Sequence, residues 1–294
     1  MTIRNNEDRM GARQRNVSDP APPQVQVENQ KVENVEEVPT PPISFSTPTE
    51  FVDLPSKGIY YLEGHPLCGK DTVEIRYMTA RDEDILTSRS LLKKGVAIDR
   101  LLQNILIDKT IKVDELLVGD KNALIIAARI TGYGANYQTK MMCPACGSHG
   151  RNTFDLENIG MADTEIPPEV DKTSNGTFVV TTPRTKTQVE LKLLTGADEK
   201  KLAKAIAMKK KKKLPESALT DQLRLTIASV GGAKEPNMIN LFIGSLPASD
   251  ARYIRDIYAK LMPNVDMKQD FECVECGYEQ EMEVPFTTDF FWPK

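Results

Sequence analysis

Two copies of one short motif, Cys143-Pro-Ala-Cys146-Gly147 and Cys273-Val-Glu-Cys276-Gly277, constrain this 294-residue chain more than any other feature. Two thiolates separated by two residues can grip one side of a tetrahedral metal, and the glycine that follows permits the tight turn beneath them. Cys143, Cys146, Cys273 and Cys276 therefore make a complete ligand set for one structural zinc ion. In an ordinary zinc ribbon the two pairs lie close in sequence, whereas residues 147 to 272 intervene here, so a whole domain must sit inside the loop. Closing a loop of about 126 residues costs roughly 4 kcal/mol, against about 10–16 kcal/mol from a structural zinc site. The metal outweighs the loop. Redox chemistry at Cys143-Pro-Ala-Cys146 would want the motif opening a helix after an apolar strand. Its flanks, Thr139-Lys-Met-Met and Ser148-His-Gly-Arg-Asn-Thr-Phe, read instead as a hairpin.

Aligning the two motifs exposes an internal repeat. Val73-Glu-Ile-Arg-Tyr-Met-Thr79-Ala-Arg-Asp82-Glu83 matches Val189-Glu-Leu-Lys-Leu-Leu-Thr195-Gly-Ala-Asp198-Glu199 without a gap. Each copy reads as a half-buried strand followed by a helix start, with Thr three residues before Asp as in a capping box. Upstream, Gly58-Ile-Tyr-Tyr and Gly176-Thr-Phe-Val each predict a glycine turn entering a strand. Downstream, Ile98, Leu101, Leu102, Ile105 and Leu106 correspond to Leu219, Leu223, Leu225 and Ile227 as a helical pattern. A short segment ending at Gly119 or Gly244 comes next, and a last helix around Leu124 to Ile130 or Tyr253 to Leu261 precedes the knuckle. The expected fold is α+β: two similar units, each a β-hairpin, three or four helices and a zinc hairpin, joined by a shared, split four-cysteine ribbon. The units span residues 51–160 and 172–285, with a linker at 161–171 around Ile166-Pro-Pro-Glu-Val.

Residues 1–50 hold seven of the 19 prolines and a single aromatic, Phe45, which is too little apolar surface to order a chain. They are expected to form a disordered, acidic tail of five Lys+Arg against eight Asp+Glu. The body that remains is nearly neutral, 33 against 34, which argues against a general nucleic-acid binder. No window reaches the length needed to span a bilayer, and no apolar leader follows Met1, so cytosolic maturation without membrane insertion is expected. Four cysteines kept as thiolates agree with a reducing compartment.

The chain has only two histidines, His65 and His149. His65-Pro-Leu-Cys68 reads as a loop, and His149 is superfluous beside four cysteines. With no nucleophile–base constellation or phosphate-cradling glycine loop, neither an enzyme nor a small-molecule substrate is expected. Lys209 to Lys213 lack interleaved aromatics for base stacking and suit the negative end of a helix dipole. The C-terminal segment 286–294 carries Phe286, Phe290, Phe291 and Trp292. It either folds back over its own zinc hairpin or offers aromatic anchors to a partner.

Three stretches, Phe51-Val-Asp-Leu-Pro-Ser-Lys-Gly-Ile-Tyr60, Leu91-Leu-Lys-Lys-Gly-Val-Ala-Ile-Asp-Arg-Leu-Leu102 and Gly119-Asp-Lys-Asn-Ala-Leu-Ile-Ile126, together with the split knuckles, resemble the baseplate hub proteins of T-even-type contractile-tailed bacteriophages. That resemblance implies a structural or assembly protein made in the infected host's cytoplasm, carried into or helping to build the tail baseplate, with other hub or tail proteins as partners. The competing reading is a nucleic-acid-binding zinc-ribbon accessory protein of a phage, which the neutral body disfavours.

Overall fold

The computed structural model describes residues 46–162, 164–213, 215, 217–285 and 288–291. Residues 1–45, Phe286 and Trp292, on which parts of the sequence reading fall, lie outside the described residues. The architecture is mixed α+β, with small antiparallel sheets around helices.

The first strand, β1 (Thr49–Asp53), pairs antiparallel with β2 (Thr72–Arg76), in register from Thr49↔Arg76 to Asp53↔Thr72. Composition had assigned residues 49 and 50 to the tail, yet both belong to this sheet. The expected strand after Gly58 does not form, and residues 54–71 run through successive turns. The cause is a close backbone approach. A Cβ on Gly58, whose φ is +68°, would lie 2.4 Å from the Lys70 carbonyl oxygen, and Gly69 N–H donates to the Gly58 carbonyl. Alternation fails as well: Ile59 is exposed, while the Tyr61 hydroxyl is drawn inward to Asp120 at 2.6 Å.

Four helices follow: α1 (Ala80–Thr87), α2 (Arg89–Lys94), α3 (Ala97–Ile105) and α4 (Val118–Tyr133). α1 starts where the sequence placed it. Thr79 N–H donates to Asp82 Oδ2 at 2.8 Å, in a reciprocal capping box. α3 buries Ala97, Leu101, Leu102 and Ile105, an i, i+4, i+5, i+8 stripe, against α1 and α4. α4 is buried over most of its length, so it reads as a central helix rather than an amphipathic surface one. Its glycine at 119 lets the first turn press on the Pro263–Asn264 segment, where an added Cβ would fall 1.9 Å from the Pro263 carbonyl.

Beyond α4, β3 (Asn136–Met142) and β4 (His149–Asp155) form a hairpin, and β5 (Gly160–Met161) follows. The expected linker is shorter than its assigned 161–171, because Met161 pairs within β5 and Asp171 opens β6 (Asp171–Lys172). A four-stranded sheet runs β6, β7 (Phe178–Thr181), β8 (Gln188–Leu191), β9 (Ile227–Val230). Here the glycine turn does enter a strand, and Phe178, Val180, Val189 and Leu191 line its buried face. Each such side chain contributes about 1.5–3 kcal/mol by leaving water.

Four more helices, α5 (Gly196–Lys211), α6 (Ala218–Thr226), α7 (Pro236–Ser245) and α8 (Ala248–Leu261), lead to β10 (Val265–Asp266), β11 (Lys268–Glu272) and β12 (Glu279–Glu283). Ile227, expected as a helical position, instead starts β9. The unassigned stretch before Gly244 is helix α7, opened by Pro236 in its first turn, where a missing N–H costs nothing. In the lysine run, Lys209, still partly exposed, folds back on Asp221 Oδ1 at 2.7 Å.

Two short ladders tie the early elements to the late ones. Val118 N–H donates to the Leu194 carbonyl and Gly196 N–H to the Leu116 carbonyl, at 3.1 and 2.9 Å. β5 pairs antiparallel with β10, Met161 opposite Val265. Through these joints, residues from both halves share one hydrophobic core.

Candidate metal centre

β3 alternates strictly, with Tyr137, Thr139 and Met141 buried and their neighbours exposed, which fixes the register with β4 from Asn136↔Asp155 to Met142↔His149. The pairing stops one residue short of Cys143, leaving a six-residue tip from Cys143 to Ser148. Within the tip, Cys143 N–H donates to the Ser148 carbonyl at 2.8 Å and Gly147 N–H to the Cys143 carbonyl at 2.9 Å. Gly147 sits at φ +72°, a conformation that glycine enters without strain. The second tip repeats this construction. β11 and β12 pair out to Glu272↔Glu279, Cys273 N–H donates to the Tyr278 carbonyl at 2.9 Å, and Gly277, at φ +67°, donates to the Cys273 carbonyl at 2.8 Å.

The two tips meet. Cys143 Sγ lies 3.8 Å from Cys276 Sγ, and Cys146 Sγ lies 3.8 Å from Cys273 Sγ. All four sulfur atoms fall within 4.8 Å of one another. A tetrahedron with Zn–S bonds of about 2.3 Å has sulfur–sulfur edges of about 3.8 Å, so the cluster fits zinc in donor type, number and spacing. Cys143 and Cys273 are buried, Cys146 and Cys276 exposed: each knuckle contributes one inner and one outer thiol.

The protonation pattern points the same way. The Ser148 hydroxyl, 2.9 Å from Cys146 Sγ and 3.6 Å from Cys273 Sγ, is the first cause lowering both thiols, Cys273 to about 6. At Cys276 a backbone hydrogen bond at Tyr278 acts downward, but the neighbouring thiols, Cys146 first among them, push it up to about 12. Four sulfurs this close do not all ionise unaided. A divalent cation would supply the charge that lets them do so.

What brings the hairpins together was not legible from the cysteines. Gln269 on β11 uses its side-chain amide as a strand would use a peptide group. Its Nε2 donates to the Asp155 carbonyl at 2.6 Å and its Oε1 accepts from Asp155 N–H at 3.2 Å. The Tyr137 hydroxyl reaches across to the Pro285 carbonyl at 3.1 Å. Ser148 and Gln269 were missed because a single polar residue in a hairpin carries no motif.

His149 begins β4 opposite Met142 and is not among the residues whose ligand atoms converge. His65 stacks on Tyr61, with centroids 4.3 Å apart, and its Nδ1 accepts from Leu67 N–H. Cys68 is exposed, and no ligand cluster among the described residues includes it.

Of the four aromatic residues singled out near the C-terminus, the two described ones are buried in this chain. Phe290 and Phe291 are each 2% exposed, Phe290 packs edge-on against Tyr137, and its carbonyl accepts from Arg129 Nε at 2.6 Å. A partner could reach these rings only by displacing the segment from β3 and α4.

A family model described as T4 bacteriophage base plate protein matches residues 49–292, a span that contains both hairpins and every element above. The chain belongs to that family. No curated protein and no solved structure matches it. Membership of that family makes it a structural phage tail protein. No helix among its described residues is long and apolar enough to cross a membrane.

Proposed function

We propose that this base plate protein is a non-enzymatic component or assembly factor of the tail hub, clasped by one structural zinc ion, and that its outer faces and N-terminal segment bind other hub proteins. It is made in the host cytoplasm and acts there during tail assembly. The observation that carries this reading is the set of four sulfur atoms within 4.8 Å of one another, two cross-hairpin edges being 3.8 Å, contributed by hairpins more than a hundred residues apart in sequence. When bound, zinc supplies the positive charge that holds four thiolates together. Cys143 and Cys146 then fix the end of β3–β4, Cys273 and Cys276 fix the end of β11–β12, and Gln269 with the β5–β10 ladder sets the angle between them.

The clasp joins two units, residues 51–160 and 172–285, that we read as a duplication. Supporting it, Arg76 and Lys192, each six residues before the capping aspartate, both pair with it, on Asp82 and Asp198. Among the described residues, four α-helices run between the strand and the knuckle in each half, the first half adding a single 3-10 turn at Val113–Glu115.

Replacing Cys273 and Cys276 together by Ser tests the proposal. The expected result is loss of bound zinc together with loss of hub assembly in infected cells, with normal zinc and assembly for Cys68→Ser. Normal tail assembly by the zinc-free protein would overturn it.

A further inference from the structure

We infer that copies of this chain associate with one another through the outward faces of their two cysteine hairpins, the basic face of one copy docking on the acidic face of the next. The inference concerns surfaces that the zinc clasp does not use, and it stands on hairpin register and charge rather than on metal content.

Numbered from the cysteines, the two hairpins are the same object. In each, the residue three before the first cysteine of the motif faces the residue five after the second. In β3–β4 this pair is Lys140↔Arg151; in β11–β12 it is Asp270↔Glu281. One step nearer the tip, Met142↔His149 corresponds to Glu272↔Glu279. The backbones and registers coincide while the charges are opposite.

Both like-charge pairings are unfavourable within the chain. Identical signs directly opposite across a two-stranded ladder destabilise it by about 0.2–1 kcal/mol per pair. The second hairpin shows that the opposite choice is available, since Lys268 faces Glu283 one step farther from the tip. Lys140, Arg151, Asp270, Glu272, Glu279 and Glu281 are all exposed. Among the described residues none of the six joins an ion pair. At the equivalent position where both hairpins are charged the signs are opposite, Lys140↔Arg151 against Asp270↔Glu281, and the acidic hairpin adds Glu272↔Glu279, so the two faces are complementary in charge.

A second copy is therefore the occupant that the chain itself specifies. An exposed apolar side chain lies at the tip end of each face. Met142, 58% exposed, precedes the first cysteine of its tip, and Val274, 83% exposed, follows the first cysteine of the other. Apolar side chains beside complementary charge are common in protein interfaces. Because the two patches differ, the contact is heterologous. Each copy that docks leaves one face of each sign free, so association proceeds to rings or open chains rather than stopping at a dimer. A pair of hairpin faces is small, so a single contact is weak and salt-sensitive.

Sedimentation velocity on the full chain tests this at about 0.1 M salt, where charges act over about 10 Å, and at about 1 M, where they act over about 3 Å. Concentration-dependent association is expected at the lower salt and its loss at the higher. Reversing the basic face as Lys140→Glu with Arg151→Glu, or cancelling the acidic one as Asp270→Lys with Glu281→Lys against the remaining Glu272 and Glu279, should abolish self-association. Mixing the two variants, or combining all four substitutions in one chain, should restore part of it. Each reversal exchanges one like-charge pair for another, so hairpin stability stays nearly constant. Zinc measured in the same samples separates this inference from the clasp. A metal-free chain that still shows reversal and restoration supports the docking and sinks the clasp. A zinc-loaded chain that stays monomeric at low salt, or associates regardless of the reversals, overturns the docking.

Discussion

Lys121 Nζ on α4 lies 2.8 Å from Glu199 Oε2 on α5, and the same ammonium lies 3.0 Å from Asp99 on α3. Burial alone would lower the lysine's pKa, but the hydrogen bond and charge of Glu199, with Asp99 behind it, raise it above the ordinary value. A folded pKa above the unfolded one gives stability that is fully present below about pH 10 and lost as pH rises through the folded value. Exposure decides which partner matters. The Lys121 and Asp99 side chains are 10% and 12% exposed, Glu199 is 46% exposed, and Asp99 keeps a second partner in Lys200 at 2.9 Å. Lys121→Met should therefore cost about 1.5–3 kcal/mol, the range for hydrogen bonds to charged groups. Glu199→Gln should cost less than about 1 kcal/mol, as for exposed pairs. Urea unfolding at pH 7 and above pH 10 checks both, and the wild-type advantage over Lys121→Met should shrink at the higher pH.

Asp82 governs the acid side. Its buried carboxylate accepts from Arg76 at 2.7 and 3.0 Å, from Thr79 N–H at 2.8 Å and from Asn104 Nδ2 at 2.6 Å. Burial pushes its pKa up, but these donors together, Arg76 foremost, hold it at about 2. With the folded pKa depressed, the stability exists above the unfolded value of 3.8 and is lost as pH falls through about 2. The contribution is about 2 kcal/mol. Asp82→Asn should lower stability at pH 7 by about that much and flatten the decline between pH 4 and 2, as read by thermal unfolding across that window.

The parts of this fold that chemistry writes locally were legible in the sequence. The four cysteines that converge were marked out by spacing and glycine alone, and the starts of α1 and α5 by Thr79 and Thr195 three residues before an aspartate. What failed depended on tertiary partners. Gly58 signalled a turn correctly, but the strand expected after it was overruled by the approach of the Lys70 backbone. Ile227 fitted a helical stripe until the edge of β8 claimed it as a strand. The joint between the hairpins rests on Gln269, whose role exists only because Asp155, far away in sequence, presents an unpaired peptide group.

Two glycines in helices should respond with opposite signs. At Gly119 an added Cβ would meet the Pro263 carbonyl at 1.9 Å and the Asn264 Cα at 2.8 Å, all backbone, whereas at Gly244 in α7 it would meet nothing within 4 Å. Neither glycine has positive φ. Gly119→Ala must force α4 away from the segment before β10, straining the Asn122–Asn264 hydrogen bond of 3.1 Å, at a cost of about 1–3 kcal/mol. Gly244→Ala should instead stabilise by about 0.5–1 kcal/mol through helix propensity. Differential scanning calorimetry of the two variants against wild type reads the signs directly. A neutral Gly119→Ala would show that α4 and the 263–264 segment are not packed this closely.

Ser148 distinguishes two knuckles that are otherwise built alike. Its hydroxyl serves one thiol from each, Cys146 at 2.9 Å and Cys273 at 3.6 Å. The matching residue of the second knuckle, Tyr278, directs its hydroxyl to Gln280 instead. In Ser148→Ala the tip keeps its backbone bond from Cys143 N–H, so the hairpin persists while the hydroxyl that draws Cys273 down to about 6 is lost. Zinc ligands must shed their protons to bind, so a higher thiol pKa weakens binding at a given pH and moves acid-induced metal release to higher pH. Outer hydrogen bonds of this kind are worth about 10-fold or more in metal affinity. Chelator competition at several pH values should give that loss for Ser148→Ala, with recovery in Ser148→Thr. Unchanged affinity would mean that the backbone amides alone tune the sulfurs.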